Sequence, residues 1–123
     1  MPVLELASTL SNISNPFQLP SVLVSNANHL LNKVDDLYSI VTSHEVDVVC
    51  ITESWLDSST PNTLCTIGNY EIYRKDRLCG LGGGVICYVS SAIQSYMVSP
   101  RVNVANNIDV EMIWILLKPK ILP

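Results

Sequence analysis

The sequence has no C-x-x-C pair, no basic excess, no internal repeat and no uninterrupted apolar run long enough for a membrane helix. Each absence narrows what the chain does. Its four cysteines, Cys50, Cys65, Cys79 and Cys87, are scattered, so a zinc site is not expected. Cys50 and Cys87 fall in apolar runs, where a free thiol acts as a small hydrophobe, and a reduced, intracellular protein is the default. The formal net charge is -4, opposite to the basic balance of proteins that grip phosphate backbones. A long interior stretch without a charged residue or histidine, Leu78 to Pro100, is broken by glycines and serines, so no membrane association is expected. The N-terminus, MPVLELASTL, has no basic region before its apolar residues and does not read as a secretory signal. Without one, the glycosylation match at Asn12-Ile13-Ser14 is read as chance. The glycine run Gly82-Gly83-Gly84 lacks a following Lys-Ser/Thr and leads into a strand, which excludes a phosphate-binding P-loop.

What is present is a chain of 123 residues, 48% hydrophobic and 15% charged, enough to bury a core as one domain or part of one. It is organised around Val46 to Leu56, VDVVCITESWL. The apolar, β-branched run Val46 to Thr52 predicts a strand buried on both faces, as in the middle of an α/β sheet. One carboxylate, Glu53, follows at the end of that strand, where open α/β sheets place their ligands.

Residues 1–19 are rich in Ser, Asn and Pro and read as a loose leader. Ser21 to Ser25 reads as a first strand. Leu30, Val34, Leu37 and Val41 recur at helical spacing, widened by Leu31, Tyr38 and Ile40, and predict a helix from His29 to His44 capped by Asn26 or Asn28. If the two flanking strands run in parallel, Asn26 and Glu53 leave the sheet at the same edge. A carboxamide and a carboxylate oxygen there suit one hard divalent cation such as Mg²⁺. Asp57 to Gly68 reads as a loop with a helical turn near Pro61. Tyr70 to Arg74 and Val85 to Val89 predict two strands joined by a glycine-rich hairpin, with Arg74, Lys75 and Arg77 beside it as candidate phosphate contacts. Ser90 to Asn107 shows no clear period, and Asp109 to Leu117 predicts a last strand. The chain then stops with no element to cover it, which reads as a sequence cut short at its C-terminal side.

Three stretches resemble the endonuclease/exonuclease/phosphatase superfamily in the form found in LINE-type non-LTR retrotransposons. They are Val24 to Leu37, with Asn26 after the first strand and Asn32-Lys33-Val34-Asp35-Asp36-Leu37 in the helix; Asp47 to Leu56, ending Thr52-Glu53-Ser54-Trp55-Leu56; and Tyr73 to Arg77 with Gly82-Gly83-Gly84-Val85. Order and spacing agree from about residue 21 to residue 117. The resemblance implies a DNase I-like α/β sandwich of two packed sheets flanked by helices, with residues 20–123 forming its N-terminal part. It implies Mg²⁺-dependent phosphodiester cleavage that nicks target DNA for reverse transcription in the nucleus, with DNA as partner and no small-molecule cofactor. By carry-over, Glu53 and Asn26 are the catalytic and metal-binding pair, and Asn28, Arg74 and Arg77 are the candidate substrate contacts.

The departures set further expectations. The family has Arg at the place of Asn28 and Ser at that of His29. Its later motifs, a Tyr strand, an Asp-x-Asn turn and a late Ser-Asp with a catalytic His, have no counterpart after Val110. His29 and His44 read as helix-surface residues. The chain taken alone is therefore expected to be an inactive fragment. The alternatives are a superfamily member acting on small or lipid phosphates, and a non-catalytic α/β module that binds a partner through its open edge.

Overall fold

The computed structural model describes residues 17–98, 110–118 and 120–121. The Asn12 sequon and most of the leader lie outside these residues. The described residues form eight strands and one α-helix: β1 (Phe17–Gln18), β2 (Val22–Asn26), α1 (Val34–His44), β3 (Val48–Thr52), β4 (Tyr70–Lys75), β5 (Val85–Ser90), β6 (Gln94–Val98), β7 (Trp114–Lys118) and β8 (Lys120–Ile121). The main sheet has the order β2-β3-β5-β4, with β2 and β3 parallel and the other neighbours antiparallel. β6 pairs with β7, and β1 with β8, both antiparallel. The segment Gln94–Val98, which shows no clear sequence period, is therefore a strand.

β3 and β5 are central and buried almost throughout. A strand covered on both faces needs apolar residues at every position, and this explains the continuous β-branched runs. The parallel pair β2 and β3 is fixed at its starting end by a reciprocal clamp. Ser21 N–H donates to Asp47 Oδ2 and Asp47 N–H donates to Ser21 Oγ, both at 2.9 Å. At the other end Asn26 and Thr52 share a rung.

One face of the sheet packs against α1 through Leu37 and Val41 and against the loop residues Leu56, Cys65 and Ile67, in one buried cluster with Leu30 and Tyr88. The Tyr88 hydroxyl donates to Cys65 O at 2.6 Å within it. The opposite face buries Val48, Cys87 and Val89, against which Ile115 and Leu117 of β7 pack. Tyr73 and Ser95 share a hydroxyl hydrogen bond of 2.7 Å that ties β4 to β6 on that side.

The helix begins five residues later than its apolar spacing predicts. Asn28 and His29 adopt left-handed φ values of 45° and 85°, which no α-helix admits. The backbone N–H groups of Ala27, His29 and Leu30 instead donate to the carbonyls of Thr52, Glu53 and Ser54 at 2.9 to 3.0 Å. Pairing across the sheet thus continues past β2 and delays the helix; a 3-10 turn, Leu30–Asn32, bridges the interval. Lys33, not an asparagine, holds the N-cap position, without a side-chain cap. Asp35 and Asp36 lie in the first turn, where the helix dipole favours carboxylates. Leu30, Leu37 and Val41 are buried as their spacing requires, whereas Leu31, Tyr38 and Ile40 are exposed. The inward stripe is therefore narrower than the sequence suggests. His44 ends the helix on the surface, but His29 is off the helix altogether. Among the described residues, no helix is long and apolar enough to cross a membrane.

Candidate functional site

β2 and β3 end side by side, so Asn26 and the residue before Glu53 occupy one rung, on strands about 4.8 Å apart. Five non-glycine residues among those described have left-handed φ; Asn28, His29, Glu53 and Trp55 all lie at this pole. Each such residue costs on the order of 1–3 kcal/mol and persists only where its surroundings hold it, a concentration typical of functional sites.

The surroundings here are three glycines. Gly82, Gly83 and Gly84 all have positive φ, and each has a side chain lying against it. A Cβ on Gly82 would meet the Trp55 indole at 3.2 Å, one on Gly83 would overlap the Arg77 guanidinium, and one on Gly84 would lie 2.6 Å from Ser54 Oγ. Backbone bonds from Trp55 N to Gly83 O (2.9 Å) and from Ser54 N to Gly84 O (3.3 Å) fasten the turn after β3 to this hairpin. The glycine run is therefore a moulded bed for the residues after β3.

Glu53 lies on that bed. Its Oε2 accepts from Gly83 N at 3.2 Å and from the Trp55 indole Nε1–H at 3.0 Å. The His29 ring stacks at a tilt on Trp55, 5.3 Å between centroids. Asn26 Oδ1 accepts from Asn28 N at 3.0 Å, and Asn28 O accepts from Lys33 Nζ at 3.0 Å. Two buried polar atoms, His29 Nδ1 and Ser54 Oγ, have no hydrogen-bond partner among the described residues, and both belong to this pole. Orphaned polar atoms beside hard oxygen donors fit a site that takes water, a cation or an anion. For Mg²⁺, the fit is that of one carboxylate and one carboxamide with waters completing the shell. Among the described residues, no group of three or more His, Cys, Asp or Glu could hold a metal.

The two arginines differ. Arg74 turns toward the loop: Nε and Nη2 donate to Asp76 (3.1 and 2.6 Å), Nη1 to Thr60 O and Asn62 Oδ1 (2.8 and 3.0 Å), and Nη2 to Asp57 O (2.9 Å). Its pKa is raised, first by the bond to Asp76. This guanidinium is satisfied within the protein. Arg77 donates Nε to Glu111 Oε1 at 2.6 Å and Nη1 to Leu81 O at 3.1 Å, and it remains partly exposed. The bond to Glu111 is the main cause of its raised pKa; the charge of nearby Glu53 adds to it.

Glu111 is a site residue that the sequence reading passes over. Its second oxygen accepts from Gly84 N at 2.7 Å, so one carboxylate joins the segment before β7 to both the hairpin and Arg77. Arg77 and the Gly84 N–H hold its pKa below the usual carboxylate range. The sequence carries little signal for it, because Glu111 stands before its apolar run and two residues from another acid, Asp109.

No protein-family model matches the chain, and no curated protein matches it. Among solved structures, the crystal structure of AP endonuclease LMAP from Leishmania major is similar, with a TM-score of 0.54 at 14% identity. The match covers 64% of this chain and 29% of that one, so the chain spans less than a third of that structure's length. Likeness at this identity speaks to fold alone: mixed sheets with few helices, arranged as in part of that structure.

Proposed function

We propose that the chain is the N-terminal part of a Mg²⁺-dependent DNA endonuclease domain of the LINE type, a DNase I-like two-sheet sandwich acting in the nucleus. The observation that carries this reading is the placement of Asn26 and Glu53 at the carboxyl ends of two parallel neighbouring strands. Glu53 is the metal-side carboxylate. The Gly83 N–H and the Trp55 indole orient its Oε2, leaving Oε1 without a partner among the described residues. Asn26 supplies a second oxygen donor. Arg77 is fixed at two of its nitrogens, by Glu111 and Leu81 O, and this reading assigns it and Asn28 to the phosphate. Arg74 contributes by holding the loop after Trp55, not by touching substrate. When bound, the metal acts as a Lewis acid on the scissile phosphate and stabilises the leaving oxygen.

The chain supplies the metal side of such a centre, so the test is cation binding, not turnover. Mn²⁺ is titrated into the chain while the Trp55 indole N–H resonance is followed, assigned by its loss in Trp55→Phe. The expected result is paramagnetic broadening that Mg²⁺ reverses by competition and Glu53→Gln abolishes. Broadening that survives Glu53→Gln, or its absence in the folded chain, overturns the proposal.

A further inference from the structure

Cys50 of β3 and Cys87 of β5 are register partners on antiparallel strands, and their sulfurs lie 3.8 Å apart. The rung type follows from the ladder. Ser90 N donates to Asp47 O at 2.8 Å, which marks Asp47 and Ser90 as a hydrogen-bonded pair. Rungs alternate, so three residues further on Cys50 and Cys87 form a non-hydrogen-bonded pair. There opposed Cα atoms are closest, about 4.5 Å apart, and the side chains face one another. A disulfide needs a Cα separation of about 4.4 to 6.8 Å, so the backbone is already in place for one.

The pair also has a route for a small reagent. Both thiols line a cavity of about 450 Å³ between the main sheet and β7, walled by Val48, Val89, Met112 and Ile115. The other two cysteines lie elsewhere: Cys65 is buried with its thiol toward Asn62 O, and Cys79 is exposed on the hairpin. Within the pair the roles differ. Either sulfur can donate to the other; Cys50 is the more exposed of the two, and an S–H from Cys87 favours its thiolate, lowering Cys50 to about 7. The same bond and burial push Cys87 up. Cys50 is thus the nucleophile.

We propose that Cys50 and Cys87 form a hydroperoxide-reactive dithiol that closes to a cross-strand disulfide. The Cys50 thiolate attacks one peroxide oxygen; the S–O bond forms, the O–O bond breaks, and hydroxide leaves to take up a proton as water. The Cys87 sulfur then attacks the Cys50 sulfenic sulfur; the S–S bond forms, the S–O bond breaks, and the hydroxyl leaves as water with the Cys87 proton. Two thiols are oxidised and one peroxide is reduced to two waters. The bridge lies two rungs below Thr52 and Val85. It would staple the two strands that carry Glu53 and the triple glycine.

The test treats the full chain with one equivalent of hydrogen peroxide, alkylates it under denaturing conditions and maps the peptides by mass spectrometry. The expected product is the Cys50–Cys87 linked peptide in the folded chain, with no such preference in urea. In Cys87→Ser, dimedone should trap a sulfenic acid at Cys50; in Cys50→Ser, Cys87 should remain a thiol. Full alkylation of both residues after Cys79 has been oxidised overturns the proposal, as does dimedone labelling of Cys87 in place of Cys50. Should either variant fail to fold, the wild-type peptide map decides alone.

Discussion

The two faces of the main sheet are built differently. The face under α1 is closed by segments adjacent in sequence to the strands they cover: the helix lies between β2 and β3, and the loop with Leu56, Cys65 and Ile67 lies between β3 and β4. Residues there reach 0–1% exposure. The other face is covered, among the described residues, by the β6–β7 pair, which buries fewer residues and leaves a cavity of about 450 Å³, larger than the one of about 360 Å³ beside α1. Atoms lining a void lack dispersion partners on one side, so the same side chain contributes less there. The comparison teaches that, among the described residues, one half of the core is covered by segments local to its strands and the other by a strand pair from further along the chain.

The largest test of that difference deletes one apolar side chain on each face. Leu30, 1% exposed in the closed cluster, should cost about 3 kcal/mol as Leu30→Ala. Ile115, half-buried on the cavity, should cost about 1 kcal/mol or less as Ile115→Ala. Urea unfolding of the two variants measures both, and equal losses would erase the distinction between the faces.

A smaller effect belongs to Arg74, which pins the Asp57 to Asn62 loop to the side of the closed face. Arg74→Ala strands Asp76 and two loop carbonyls and should cost about 2 kcal/mol. Arg74→Lys should restore only part of this, because an ammonium cannot reproduce the planar fork. Amide exchange in the loop should quicken in both variants while exchange in β6 and β7 stays unchanged.

The smallest effect sharpens the open face. Glu111 tethers the approach to β7, and its pKa is depressed in the folded state. A depressed carboxylate contributes stability that is present above its unfolded pKa, about 4.3, and is lost as pH falls through its folded value. Stability should therefore decline below about pH 4.5, with a shallower decline in Glu111→Gln. Exchange at Met112 to Ile115 should quicken in that variant even at neutral pH.

Much of the fold is legible in the residues themselves. Apolar runs locate β2, β3 and β5, and alternating β-formers locate β4, to within a residue or two; in β3 and β5 burial on both faces writes itself into consecutive side chains. The lone acid after β3 and the glycine hairpin are equally visible. The helix start is not. Its apolar spacing is sound, yet three backbone N–H groups find carbonyl partners on the neighbouring strand, and no side chain signals that. His29 reads as a helix-surface residue for the same reason, although it stacks on Trp55. β6 is missed because four of its five residues are exposed and its pairing depends on β7.

By itself the sequence determined which segments become the four strands of the main sheet, where the polar pole begins and which side chains are present there, since these rest on local periodicity and turn chemistry. Only the tertiary structure decided which partner each charged group takes. Arg74 is drawn to a loop 12 to 17 residues away and Glu111 to a glycine 27 residues away. Such pairings depend on where the sheet brings distant backbone, and spacing along the chain carries no record of that.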